Sequence, residues 1–378
     1  MTTVFLERCE HYDNVKTVLA PIWEKIGAAD LVAGKKVLLK VNLTKGGPPD
    51  LAVATHPAFT AALAELVRES GGEPYVGDSC SIYGFTRETI ELAGYGEMSR
   101  QTGVPCVPLD SGKVHPVKIG GAHLRDTYLS EYVLDADVII SVPKLKPHDY
   151  VEFTGALKNV VGMLPGAIKP YLHYKYSRWE DFLHVVLDLF AHVRPALAFV
   201  DGILAMEGQG PTNGTPRQVG LVAASRDPVA VDAVLADLVG LPVVRLLTLA
   251  GQRGLGESDL EKIEVVGPPV DDVRVKIQPA NPTKAKIGLL GKLKYGVRYY
   301  GVRPVLNTES KDALRELARL CPVDAIDLTG RPRIRRNCVR CMTCIESCDN
   351  GAVTPKVPRV LHSTYRRKSP GYDLSKMR

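Results

Sequence analysis

The strongest constraint on this chain is a run of cysteines. Residues 338–348 read CVRCMTCIESC, a C-x2-C-x2-C-x3-C spacing, and Cys321 stands seventeen residues upstream in CPVDAI. Five of the eight cysteines fall between Cys321 and Cys348; Cys9, Cys80 and Cys106 are scattered and read as small packing residues. Eight in 378 residues are too few and too unevenly placed for a disulfide scaffold. Three thiolates on one tight loop suit three corners of a single iron–sulfur cubane. Tetrahedral sulfur also suits zinc, although zinc sites more often pair cysteines across a long spacer.

The remaining composition is that of a globular chain, 45% hydrophobic and 24% charged, long enough for two or three domains. The opening MTTVFLERCEHYDN lacks a basic region followed by an apolar stretch, and no run of 18 apolar residues occurs. The expectation is therefore a cytoplasmic protein without a transmembrane segment, in a compartment that keeps thiols reduced. The net charge of +6 equals the excess carried by 354–378 alone. That tail reads as a solvated terminus, or as a surface for an anionic partner. Nucleic acid is not expected, because no aromatic interleaving accompanies the basic residues. A second basic stretch, from Lys276 to Arg303 with Lys284, Lys286, Lys292, Lys294 and Arg298, reads as a solvated linker.

Along the chain, KVLLKV (36–41) has strand length. His56–Pro57 opens an amphipathic helix closed by Gly71–Gly72, and a short strand follows at 74–77. A strand–helix–strand unit implies an at least partly parallel sheet. Further strands are expected at 104–109, 137–142, 196–200, 219–224 and 261–266, and helices at 127–135, 178–192 and 227–239. The fold class is thus α/β: a large domain (1–267) with a partly parallel sheet and flanking helices. A basic Pro/Gly-containing linker or extension (268–305), a small cysteine module (306–355) and a basic tail (356–378) follow.

The cysteine module resembles a bacterial-type ferredoxin, an α+β fold, with one of its two cluster sites decayed. Cys321-Pro322 matches the fourth position of the first half, which puts Lys311, Leu314 and Leu317 where that half's other three cysteines would stand. None of these replaces a thiolate, and the leucines can fill the vacated volume. The resemblance implies one [4Fe–4S] cluster on Cys321, Cys338, Cys341 and Cys344, with Cys348 left over and facing the abandoned site; Cys348 is the alternative fourth ligand. Asp349 stands where proline is usual after the fourth cysteine.

The body resembles the DUF362 family, an uncharacterised family often found with ferredoxin modules. The matching segments are KVLLKVNLTKGG (36–47), THPAFTAALAELV (55–67), YVGDS (75–79), SVPKLKPHDYVEFTGALKNVVGMLPG (141–166), DGILAMEGQGPTNG (201–214) and SRDPVAVDAVLADLVG (225–240). With the module, the resemblance covers about residues 4–355. It implies an iron–sulfur α/β protein and no defined reaction.

Loops after the carboxyl ends of parallel strands build sites. Lys144, Lys146 and His148 cluster in PKLKPHD, and Lys158 and Asn159 follow. Neighbouring lysines favour an anionic ligand or a neutralising carboxylate. These residues read as an anion pocket, with His148 and Lys146 as catalytic candidates, or as a solvated loop. Asp78 and Asn42 are substrate-binding candidates, and Lys40 ends the same strand as Asn42. Glu207, in the glycine-rich MEGQGPTNG, is a candidate acid or base; His173 ranks below His148. That loop matches neither a dinucleotide nor a P-loop pattern. The expected function is an iron–sulfur oxidoreductase passing electrons to an anionic small molecule or a second cofactor. A reduced ferredoxin or flavodoxin is the expected donor. A flavin motif is absent, so the second cofactor is unspecified. The alternative is a non-enzymatic electron-transfer or accessory protein. The five arginines Arg331, Arg333, Arg335, Arg336 and Arg340 would then, or equally in an enzyme, steer an acidic carrier.

Overall fold

Val37, Leu38, Leu39 and Val41 are all fully buried. Side chains of a strand alternate between faces, so such a run needs a sheet covered on both sides. The computed structural model, which describes residues 1–80, 85–242, 244–281 and 289–362, supplies that sheet. Its strands are β1 (Thr2–Arg8), β2 (Lys36–Val41), β3 (Glu73–Asp78), β4 (Cys106–Pro108), β5 (Val138–Val142), β6 (Leu197–Glu207), β7 (Thr215–Ser225) and β8 (Ile263–Val266). The spatial order is β8-β1-β7-β6-β5-β2-β3-β4. All neighbours pair in parallel except β1 with β7 and β6 with β7.

One face carries α1 (Val15–Lys25) and α2 (Pro57–Glu69), packed on Val37, Leu39, Ile140 and Phe199. The other carries α3 (Trp179–Val193) and α4 (Pro228–Leu238), packed on Leu38, Ile139, Ala198 and Val200. The strands at 36–41 and 137–142 and the helices at 178–192 and 227–239 lie where expected, within one or two residues.

Three expectations are corrected. Residues 127–135 do not form a helix: Asp126–Ser130 is a strand paired with Val114–Lys118, followed by one turn at Glu131–Leu134. The segment has a local antiparallel partner across Gly120–Gly121, and Thr127 and Leu129 alternate inward, so pairing prevails over helix. Strand β1 and helix α1 were not anticipated, although Val4 and Leu6 are buried at period two. The stretch 268–305 is not simply a solvated linker. It ends in α5 (Leu289–Gly301), which packs on Ile168–Lys175, and Arg298 is buried. Lys284 and Lys286 lie outside the described residues, as does the tail beyond 362.

The module begins slightly before 306. Its β9 (Arg303–Leu306) pairs antiparallel with β12 (Val353–Lys356), and β10 (Ile326–Asp327) with β11 (Arg333–Ile334). Helices α6 (Lys311–Arg319) and α7 (Thr343–Glu346) complete an α+β unit. Among the described residues no helix is long and apolar enough to cross a membrane.

Helix α4 is opened by Asp227. Its Oδ1 accepts from the N–H groups of Val229 (2.9 Å) and Ala230 (3.2 Å), and Oδ2 accepts from Glu257 N–H (2.7 Å). Asp227→Ala is expected to lower the unfolding free energy by about 1–2 kcal/mol, read as a lower urea midpoint at unchanged slope.

Candidate functional site

Strand order reverses between β2 and β5: the chain runs outward through β3 and β4, then returns to the other side of β2. Ligands of open α/β sheets bind outside the strand ends at such a switch point. Most of the sequence-selected residues gather there. Lys40 at the end of β2 pairs with Asp78 at the end of β3 (2.7 Å), both buried. Lys40 Nζ also donates to the Val41 carbonyl (2.6 Å) and Asn159 Oδ1 (3.2 Å), while Asn159 Nδ2 returns a bond to the Lys40 carbonyl (2.6 Å). Beyond β5, Lys144 pairs with Asp201 on β6 (2.6 Å). Tyr12 donates to the other Asp201 oxygen (3.0 Å), and Asp201 also accepts from His56 N–H (2.9 Å).

Lys146 differs. It is fully buried, yet its ammonium donates only to neutral oxygens: Asn42 Oδ1 (2.7 Å), Val53 carbonyl (2.6 Å) and Thr44 Oγ1 (3.2 Å). Burial, with Lys158 and Lys144 nearby, holds its pKa well below the ordinary lysine value. Lys158 is half-buried, and no hydrogen bond or ion pair to it is found among the described residues. Burial lowers its pKa to about 8. The solvated-loop reading of Lys144 and Lys146 is therefore excluded.

His148 ends a short hairpin strand, Lys146–His148, paired with Glu152–Thr154. Its Nδ1 accepts from the N–H groups of Tyr150 (2.9 Å) and Val151 (3.3 Å). The ring proton is thus on Nε2, and the Asp149 carboxylate 3.2 Å from Nδ1 is not an ion-pair partner of a neutral ring. Burial, then the Lys158 charge, push the pKa down to about 3. At neutral pH His148 is a hydrogen-bond donor through Nε2–H, not an imidazolium acid. His173 stacks on Phe182 (4.0 Å) with Nδ1 buried and unpartnered, and the Tyr150 hydroxyl is likewise unpartnered. The Glu207 carboxylate accepts from Gln278 N–H (3.1 Å), while its neighbour Met206 donates its N–H to the Leu145 carbonyl (3.1 Å) beside the Lys146–His148 hairpin.

Asp232 on α4 was not anticipated. It accepts from the N–H groups of Ala156 (2.7 Å) and Leu157 (2.9 Å), fixing the turn that carries Lys158 and Asn159. Its signal was a lone acid on the buried face of an apolar helix.

In the module, Cys321, Cys338, Cys341 and Cys344 line one enclosed void, and Cys348 does not. The void has a volume of about 20 Å³. Among the described residues no group of three or more His, Cys, Asp or Glu is placed to hold a metal ion. None of the eight cysteines is in a disulfide. Burial pushes the Cys341 thiol up to about 12, so a thiolate there needs positive charge in the void. Between the cysteines, Arg340 (φ 55°) and Met342 (φ 65°) are left-handed. Such alternation turns successive N–H groups to one side and makes an anion-binding concavity, as around iron–sulfur centres. Leu314 and Leu317 are buried in one hydrophobic cluster with Cys344, and Cys348 packs on the same cluster. Cys348 Sγ accepts from Val353 N–H (3.3 Å).

Body and module meet closely. Gly166 (φ 48°) lies so near the cysteine loop that a Cβ would stand 2.5 Å from the Cys341 carbonyl oxygen. Ala167 N–H donates to the Arg340 carbonyl (3.0 Å). Four steps earlier, a Cβ on Gly162 would stand 2.0 Å from Asp78 Oδ1. The segment 162–166 therefore joins the Lys40–Asp78 pair to the cysteine loop across at most about 14 Å of chain. Glu346 was missed: its carboxylate accepts from the N–H groups of Thr86 (2.7 Å) and Arg87 (3.1 Å) on the body.

The profile described as "Domain of unknown function (DUF362)" matches residues 37–237. A thylakoid-associated protein of Synechocystis sp. is 36% identical over 262 residues, 67% of this chain and 79% of that protein. Among solved structures, the lactate racemase apoprotein of Thermoanaerobacterium thermosaccharolyticum aligns at 11% identity and a TM-score of 0.41, over 64% of this chain and 58% of that one. A Thermotoga maritima protein aligns at 14% and 0.38, over 65% and 60%. The chain thus spans under two thirds of the length of either solved relative.

Removing one member of a buried ion pair strands the other charge. Lys40→Met is expected to cost about 3–5 kcal/mol by urea unfolding, and Lys40→Met with Asp78→Leu much less than the two single losses added. Burial raises the Asp232 pKa from 3.8 to about 7. The folded state then binds more protons than the unfolded one between those values, so this group's contribution falls as pH rises from about 4 to about 7. Relative to wild type, the melting temperature of Asp232→Asn is expected to gain steadily across that window and to level off above it.

Proposed function

The chain belongs to the DUF362 family, and from that premise we propose that it is an iron–sulfur oxidoreductase carrying one [4Fe–4S] cluster on Cys321, Cys338, Cys341 and Cys344. It would pass electrons to an anionic small molecule or a second cofactor at the β2/β5 crevice. The observation that carries this reading is the single void bounded by those four thiols, with Cys348 outside it. Zinc sites more often pair cysteines across a long spacer, so the C-x2-C-x2-C run favours the cluster. When bound, such a cluster supplies reversible one-electron transfer. The left-handed backbone at Arg340 and Met342 directs N–H groups at its anionic sulfurs.

At the crevice, the chain's own residues divide the work. Lys40 and Lys144 are already neutralised by Asp78 and Asp201 and act as fixed supports. Lys158 and Lys146 have no carboxylate partner among the described residues and would bind the anionic part of the ligand. His148 Nε2–H would orient a ligand oxygen, and Lys158, with a pKa near 8, can give or take a proton close to neutral pH. The segment 162–166 keeps this centre near the cysteine loop. A non-enzymatic electron carrier is the second reading. The observation favouring it is that two of the four crevice lysines are internally paired.

A reducing, cytoplasm-like setting suits eight cysteines without a disulfide. Association with a membrane surface, as the name of the Synechocystis relative states for that protein, is compatible with it.

Iron and sulfide analysis of anaerobically purified chain tests the cluster. About four irons and four sulfides are expected, with loss in Cys321→Ser and retention in Cys348→Ser. Stoichiometric zinc, or full iron in Cys321→Ser, would overturn the assignment. An anionic ligand that protects Lys158 from acylation in wild type would favour the enzyme over the carrier.

A further inference from the structure

Beside the cysteine void runs a second depression, a groove of about 470 Å³ with Arg303, Arg333, Arg335, Arg336 and Arg340 along its walls and Cys338 at its inner end. Its charge is poorly compensated. Arg333 and Arg335 share one carboxylate, Asp327, at 3.1 and 3.3 Å. Arg340 lies over the rings of Tyr299 (4.9 Å) and Tyr300 (5.4 Å). Arg303 and Arg336 are exposed, with no carboxylate partner among the described residues. A concave surface lined by one sign of charge focuses the potential and speeds encounter with the opposite sign.

We infer that this groove is the docking site of an acidic electron-carrier protein, whose carboxylates seat on the arginines and place its redox centre over Cys338. The inference rests on the cluster reading and adds the entry point. Cys338 lines both the void and the groove, so it connects the proposed cluster to the surface. Arginine presents a planar fork that binds carboxylates in pairs, which suits a protein surface rich in Asp and Glu. Single-stranded nucleic acid would use aromatic platforms, and no aromatic side chain lines the groove. On transfer the carrier loses one electron and the oxidised cluster gains it; no bond forms or breaks.

The test uses the full chain with its iron content measured, and an oxidised plant-type [2Fe–2S] ferredoxin as probe. Binding is followed by calorimetry at low and high salt, and cluster reduction by the reduced probe is followed by stopped flow. Arg303→Glu with Arg336→Glu leaves the Asp327 network and the tyrosine stack in place. The double variant is expected to weaken binding and slow reduction by the probe at least about tenfold at low salt, and to flatten the salt dependence. Reduction by methyl viologen radical cation, which has no use for arginines, is expected to be undiminished. Unchanged ferredoxin binding with the iron intact would overturn the docking site and leave the cluster standing. A wild-type chain without iron would overturn both. Tighter binding of a single-stranded oligonucleotide than of the ferredoxin, abolished by the same reversal, would reassign the groove to nucleic acid.

Discussion

Two lysine ammonium groups stand fully buried where parallel strands end, and each is held by a carboxylate from the neighbouring strand: Lys40 by Asp78 and Lys144 by Asp201. An isolated charge at such depth is prohibitively costly, so the strand ends can close only if both partners are present and the remaining protons find acceptors. Asn159, the Val41 carbonyl, Tyr12 and the His56 amide complete those requirements. Because Asn159 belongs to the segment that crosses over the strand ends, satisfying Lys40 also fixes that crossing. The polar crevice and the path toward the cysteine loop follow from one electrostatic demand.

The same demand separates support from function. Lysines with carboxylate partners cannot offer their charge to a ligand without breaking a native pair. Among the described residues Lys146 is bonded to neutral oxygens and the half-buried Lys158 is unpaired, so neither has a native ion pair to break. His148 adds a neutral donor whose tautomer is set by two backbone amides. On the module side, the glycine at 166 allows main chain to touch main chain, and Glu346 reaches back to cap the turn at Thr86. The two units are thus joined by backbone contacts and a buried carboxylate, a geometry suited to holding a fixed distance.

Much was readable from residue order. KVLLKV could only be a covered strand, and Asp227–Pro228 could only begin a helix. The cysteine spacing singled out a loop, and Leu314 and Leu317, read as volume-filling apolar residues, pack in one cluster with Cys344. What escaped depended on distant partners. Strand β1 is a short alternation that becomes a strand only between β7 and β8. Asp126–Ser130 lost its helix to a hairpin neighbour. Asp232 and Glu346 look like ordinary acids until the amides they cap arrive from 76 and 260 residues away.

Residue order by itself determined the alternation that makes the strands, the tight loop of three thiols and the supply of lysines near the strand ends, because each is a local property of spacing and side-chain chemistry. Only the tertiary structure decided which lysines are neutralised, that the Glu207 carboxylate accepts from Gln278, and that Cys321 rather than Cys348 lines the void with the other three. Those outcomes depend on which groups long-range packing brings within a few ångströms, and Coulombic and hydrogen-bond energies act only at that range.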